Sequence, residues 1–214
     1  MNISTSIKKA SKYFLLLLLL IIGLTACNQV DTSGSEEGQG TPNLKAYFPM
    51  YQGMEYSYAG EGIEFAPFTR KIMFVEDKYL QFTDDNGGTV VVKIYKVSDQ
   101  EINEIYEEAE FYEDDNLIPD VIKDEEKKKI ILKAPLEVGN SWNNNGEKRE
   151  IVAVNQKVKV PAGTFYHVVR VKITYQDNDN TRYNYFAPNI GLIKTEYFGE
   201  GFKIKSELKS FSLN

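Results

Sequence analysis

The chain has 214 residues, 31 acidic against 25 basic side chains, a formal net charge of −6 and a single cysteine. An acidic balance argues against nucleic acid and other polyanionic partners, which are held through cationic surfaces. One cysteine excludes an internal disulfide, while 14 tyrosines and 12 phenylalanines supply side chains that suit strands and half-buried surfaces.

The chain opens with Lys8, Lys9 and Lys12, and Tyr13 to Leu24 is an apolar block containing six consecutive leucines. That block is shorter than the roughly 20 residues a helix needs to cross a bilayer. A basic start, a short apolar core and small residues at its end instead form an export signal that is later removed. Leu24-Thr25-Ala26-Cys27 resembles the lipobox of bacterial lipoproteins. The resemblance implies cleavage between Ala26 and Cys27, diacylglycerol and palmitate on Cys27, and a lipid anchor on the extracytoplasmic face of the cell membrane. Cys27 is then an attachment point, neither a redox centre nor a nucleophile.

Residues 1–26 read as the signal peptide, residues 27–44 as a flexible tether rich in Gly, Ser and Glu, and residues 45–214 as a β-rich domain. Removing residues 1–26 takes away three lysines and no acid, which moves the net charge from −6 to −9. A surface that acidic is repelled by anionic lipid, so membrane attachment rests on the covalent lipid.

Beyond the tether, period-two alternation dominates. RKIMFVEDKYLQFTDDNGGTVVVKIYKV (70–97) reads as three strands broken at Glu76-Asp77 and at Asp84 to Gly88. TFYHVVRVKITY (164–175) places Phe165, His167, Val169, Val171, Ile173 and Tyr175 on one face. QDNDN then turns the chain into TRYNYFA, completing a hairpin. GFKIKSELKSF (201–211) alternates to the end. The expectation is a mainly β fold of about ten antiparallel strands in a curved sheet or open barrel, with at most one short helix; a two-sheet sandwich is the other way to cover the apolar face.

Residues 99–118 are ambiguous. Ile102, Ile105, Tyr106 and Ala109 fit a helical stripe, and Ser98 with Glu101 has capping-box spacing. An internal match argues for a strand: Gly88-Thr89 and Gly163-Thr164, Phe111 and Phe186, and Leu117-Ile118 and Leu192-Ile193 each lie 75 apart, which sets residues 99–118 against the hairpin turn and second strand around Tyr183. PMYQGMEY (49–56) and PLEVGNSW (135–142) share proline, aliphatic residue, glycine and final aromatic in register, and RKIMFV (70–75) and REIVAV (149–154) follow them. Two repeat units, 47–134 and 135–214, are expected, with Tyr56 and Trp142 in equivalent places.

YFPMYQGMEYSYAGEGIEFAPFTR, NGGT, APLEVGNSW, VPAGTF and YFAPNIGLIKTE resemble membrane lipoproteins of Gram-positive, Bacillus- and Clostridium-type bacteria that carry a β-rich extracellular domain. The resemblance spans nearly all of residues 47–200 and implies placement outside the cytoplasmic membrane; it implies no activity. A looser likeness, of architecture only, is to lipoprotein carriers with a half-open barrel around an apolar cavity.

His167 is the sole histidine, which excludes a histidine triad or a multi-histidine metal site within the chain. DDNGG (84–88) lacks the glycine and glutamate spacing of a calcium loop and reads as a hairpin turn. The acidic run from Glu101 to Asp115 reads as a solvated face with weak cation attraction. No catalytic residue, metal site or cofactor is expected, and the protein is read as a binding or interaction domain without enzymatic activity. His167, Tyr183 and Tyr185 are the candidate contacts for an envelope ligand, a glycan, a peptide or a lipid. An apolar carrier and a carboxylate-based glycan hydrolase are the competing readings.

Overall fold

The computed structural model describes residues 43–125 and 129–213. The expected signal peptide, the Ala26–Cys27 cleavage site and residues 27–42 of the tether lie outside them. Among the described residues no helix is long and apolar enough to cross a membrane.

Among the described residues, twelve strands build one antiparallel sheet. They are β1 (Met54–Glu61), β2 (Phe68–Glu76), β3 (Tyr79–Asp85), β4 (Val90–Val97), β5 (Glu101–Ala109) and β6 (Lys129–Lys133), then β7 (Ser141–Asn144), β8 (Glu147–Val160), β9 (Gly163–Tyr175), β10 (Thr181–Ala187), β11 (Gly191–Gly199) and β12 (Phe202–Leu213). Successive strands pair with one another except β6 and β7. β1 pairs with β12, and β6 and β7 are the sheet's two edges. Two six-stranded meanders therefore meet along β1 and β12, and the sheet curls into a nearly closed barrel. The short edge strands β6 and β7 raise the count above the expected ten.

The edges meet through side chains. Asn144 Oδ1 accepts from the Ile130 N–H at 2.9 Å, and its Nδ2 donates to the Ile130 carbonyl at 3.1 Å. One amide thus reproduces the donor and acceptor that a neighbouring strand would offer. Trp142 Nε1 donates to the same carbonyl at 3.0 Å, and Arg149 Nη1 donates to the Ile131 carbonyl at 3.2 Å.

Gly53 and Gly139 make similar backbone contacts. The Gly53 N–H donates to the Ile72 carbonyl at 3.0 Å, and the Gly139 N–H donates to the Ile151 carbonyl at 2.9 Å. Both glycines have positive φ, 85° and 92°, which side chains disfavour. Tyr56 lies opposite Arg70, and Trp142 lies opposite Arg149.

Residues 101–109 form a strand, which settles the ambiguity against the helix. Ser98 Oγ accepts from the Glu101 N–H and donates to the Glu101 carbonyl, so the capping-box pair closes the β4–β5 turn. The alternation of β5 was illegible because both of its faces are covered: Ile102, Asn103, Glu104 and Ile105 are all buried. Ile105 packs with Ile94 and Ile118 in a cluster joined by Leu117 and Val121, under a strap formed by residues 111–125 that contains the short helix α1 (Ile118–Val121). Burying each such side chain contributes about 1.5–3 kcal/mol. Gln81, fully buried, holds the strap by donating to the Asp115 carbonyl and accepting from the Leu117 N–H.

The β8–β9 hairpin is sharply irregular. Asn155 (φ 55°) and His167 (φ 54°) are both left-handed, residue types that tolerate this region, and the pairing slips around them. The apolar phase expected for His167 therefore breaks at His167 itself, and Val168 and Val169 are buried in succession. Beyond the bend, the Ala162 N–H donates to the Leu208 carbonyl of β12 at 2.9 Å.

Candidate functional site in the barrel interior

Opposed residues of antiparallel strands point to the same side, so the inner wall can be followed strand by strand. In the second meander one row runs Trp142, Arg149, Ile173, Arg182, Tyr197, Ile204. In the first, Tyr56, Arg70 and Asp84 lie side by side. These rows place charged side chains inside the barrel.

They line a cavity of about 250 Å³ that carries five cations, Arg70, Lys93, Lys129, Arg149 and Arg182, and two carboxylates, Asp84 and Glu104. Four of the cations have carboxylate partners. Arg70 binds Asp84 through both oxygens at 2.7 and 2.8 Å, and its guanidinium sits 4.2 Å from the Phe82 ring centroid. Arg149 donates twice to Glu147, Lys129 lies 3.5 Å from Glu104, and Lys93 lies 3.1 Å from Glu107. Burial by itself lowers the pKa of Arg70, but the charge of Asp84 and its hydrogen bonds outweigh burial and hold the guanidinium above its ordinary range. Burial, reinforced by Glu104, raises the Tyr95 phenol well above its ordinary value and keeps it neutral.

Arg182 differs from the other four. Among the described residues it has no carboxylate partner, and its guanidinium lies 5.6 Å from the Tyr197 ring centroid. It is exposed, and it also lines a second cavity of about 440 Å³. This outer cavity shares Phe68, Arg182, Thr195 and Ser206 with the interior, so the two are adjacent and meet at these side chains. Its remaining walls are largely apolar, with Ile63, Phe65, Tyr175, Tyr197 and Ile204. It is the mouth of the interior cavity.

The residues singled out in the sequence sit elsewhere. His167 Nδ1 lies 3.3 Å from Asn155 Oδ1, and the His167 carbonyl accepts from the Tyr47 hydroxyl at 2.8 Å. Tyr183 packs edge-on against Phe198 beneath Arg170. The Tyr185 hydroxyl donates to Glu196 at 2.6 Å. None of the three lines the interior cavity or its mouth, because Arg182, Asn184 and Phe186, the alternate residues of β10, take the inner face. DDNGG is a hairpin turn, in which Asn86 Oδ1 accepts from the Gly88 and Thr89 N–H groups. Among the described residues no group of three or more His, Cys, Asp or Glu side chains converges as a metal site would require.

The inner charged residues were missed because alternation shows that a strand has two faces without saying which is covered. One signal was present. The RKI and REI match puts Arg70 and Arg149 at the same point of the two halves, where each turns out to line the cavity.

No known protein family and no curated protein matches the chain. Among solved structures, it is similar to a Bacteroides fragilis protein described as exported and as having a YmcC-like fold, at 14% identity and a TM-score of 0.45, over 77% of this chain and 98% of that one. It is also similar to a Parabacteroides distasonis protein described as a lipoprotein, at 12% identity and a TM-score of 0.42, over 78% and 98% of the two chains. Both come from Bacteroides-type bacteria, which lends nothing to a Gram-positive origin.

Proposed function

We propose that the protein is a lipid-anchored envelope lipoprotein that acts as a binding module, with its ligand site in the barrel interior and mouth. The anchor rests on the ordered sequence signals that end in Leu24-Thr25-Ala26-Cys27. The site rests on one observation: a barrel interior that holds a cavity lined by charged side chains and opens through an aromatic mouth. Pockets with a few convergent polar groups and apolar walls are the usual form of small-molecule sites. The carboxylates that line the interior are occupied by Arg70 and Lys129, which leaves neither free to work on a substrate and favours binding over hydrolysis. A wholly apolar ligand is disfavoured, since it would strip water from charged walls without replacing its hydrogen bonds.

Two measurements test this reading. Metabolic labelling with a radioactive fatty acid should mark the wild-type chain in the membrane fraction and leave Cys27→Ser unlabelled; equal labelling of the variant would remove the anchor from the proposal. Native mass spectrometry of the full chain extracted from its own host should show a co-purifying small molecule.

A further inference from the structure

The five cations of the interior are not alike, and the difference points to a ligand. Arg70, Lys93, Lys129 and Arg149 serve the barrel, the first three held by a carboxylate of a neighbouring strand and Arg149 by Glu147 of its own strand. Arg182 serves no such pair among the described residues, although the chain carries more acids than bases. It stands at the junction of the two cavities, its guanidinium over the Tyr197 ring. Asn184 and Thr195 line the interior beside it, with Thr195 Oγ1 donating to Asn184 Oδ1 at 3.3 Å. Ser206 completes the polar collar, though its hydroxyl is engaged by the Ala66 carbonyl at 2.7 Å.

Outside this collar the chemistry changes. Ile63 and Phe65, on the β1–β2 loop, are each 49% exposed at the mouth, and Tyr197 stacks on Phe202, itself 50% exposed. Apolar side chains gathered around a cavity in this way are poorly hydrated and gain by being covered. The interior, at about 250 Å³, lies below the roughly 300–1,000 Å³ typical of small-molecule sites, whereas the mouth lies within that range. A ligand that fills the mouth while reaching the unpaired cation has two unlike ends.

We propose that the site binds a small anionic amphiphile, its carboxylate or phosphate head on Arg182 at the collar and its apolar body against Ile63, Phe65 and Tyr197. This rests on the binding-module reading and adds the ligand class to it. Arg182 suits the role because a guanidinium meets a carboxylate or phosphate through two parallel N–H···O bonds. The guanidinium carbon lies 5.6 Å from the Tyr197 ring centroid, an aromatic neighbour that accepts none of its in-plane N–H bonds as a carboxylate would. Four satisfied pairs keep the remaining interior cations from competing for the head.

The test uses the full chain in neutral phosphatidylcholine nanodiscs and a dodecanoate probe with a diazirine at its far end, crosslinked by light and mapped by mass spectrometry. Labelling is expected on the mouth residues, reduced at least about tenfold in Arg182→Gln and only partly recovered in Arg182→Lys, which keeps the charge but not the two-pronged geometry. The corresponding alcohol probe should label weakly. Dodecyl phosphate should compete while inorganic phosphate should not, which separates an amphiphile from a free anion. Equal labelling of Arg182→Gln, or equal labelling by the alcohol, would overturn anion recognition and leave the binding module standing. Competition by inorganic phosphate as strong as that by dodecyl phosphate would overturn the amphiphile. A barrel that no probe labels, in a protein that also carries no co-purifying molecule, would overturn both.

Discussion

The barrel has two junctions between its meanders, and they are held by different chemistry. Between β1 and β12, eight residue pairs run from Met54–Leu213 to Glu61–Lys205 in a backbone ladder with one bulge. Between β6 and the β7–β8 hairpin, the contact depends on the side chains of Trp142, Asn144 and Arg149, which reach the backbone of Ile130 and Ile131. A ladder spreads cohesion over groups that every residue owns. A side-chain junction concentrates it in a few residues, so its strength is written in the sequence and can be removed by one change. The β6–β7 junction is the place where this barrel can be opened with least disturbance elsewhere.

The largest effect is expected from Arg149→Ala. It removes the contact to Ile131 and leaves Glu147, a buried residue, without its cation. Breaking a buried pair from one side costs about 3–5 kcal/mol. Urea unfolding that shifts by less than about 1 kcal/mol would mean that this junction carries little of the fold's stability.

A smaller and more local effect is expected from Asn144→Leu, which keeps the volume while stripping Ile130 of the acceptor for its N–H and one donor to its carbonyl. Leaving a buried backbone group unpaired costs about 1–3 kcal/mol. Amide exchange should speed up at Ile130 and stay slow along β12. Equal acceleration at both junctions would show global loosening instead of selective opening.

The smallest effect appears only in acid, on the outer face of β11 beside the laddered junction. Burial pushes the Glu196 carboxyl up, but hydrogen bonds from Lys203 and Tyr185 and the charge of Lys194 outweigh burial and bring it down to about 2. A carboxyl depressed in the folded state contributes stability that is fully present above its unfolded value, roughly 4.3, and lost as pH falls toward 2. Glu207, on β12, is lowered as well: burial opposes this, and Lys205 and Lys194 prevail. Glu196→Gln should therefore flatten the fall in stability between about pH 4.5 and 2 while changing little between pH 4.5 and 2 at the β6–β7 junction, as followed by Trp142 fluorescence.

Much of the fold was legible because half-buried strands announce themselves. Phe68–Glu76, Tyr79–Asp85 and Val90–Val97 fall where alternation and turn residues placed them, and the Asn- and Gly-rich turn at 84–88 closes as its side-chain chemistry requires. Legibility failed where two faces are covered at once. β5 looked partly helical because Glu104 faces the charged interior and Ile105 the strap. His167 was put on one face with Val169 and Val171 because alternation was carried through a residue that the backbone turns out of phase.

The site was less legible than the fold for a related reason. Aromatics on β10 drew attention to Tyr183 and Tyr185, whereas the cavity takes the other parity, Arg182 and Asn184. An outward charge and an inward charge look the same in a strand, and only closure of the sheet assigns the sides.

By itself, the sequence determined the class of structure, since periodicity and turn residues are local properties of neighbouring residues, and the proposed anchor rests on the equally local pattern Leu24-Thr25-Ala26-Cys27. Tertiary structure alone decided which parity faces inward, which cations find carboxylates and which one does not. Those outcomes depend on strands distant in the chain, such as β2 with β10 and β11, sharing one interior, and on the two edges meeting where β8 reaches β6.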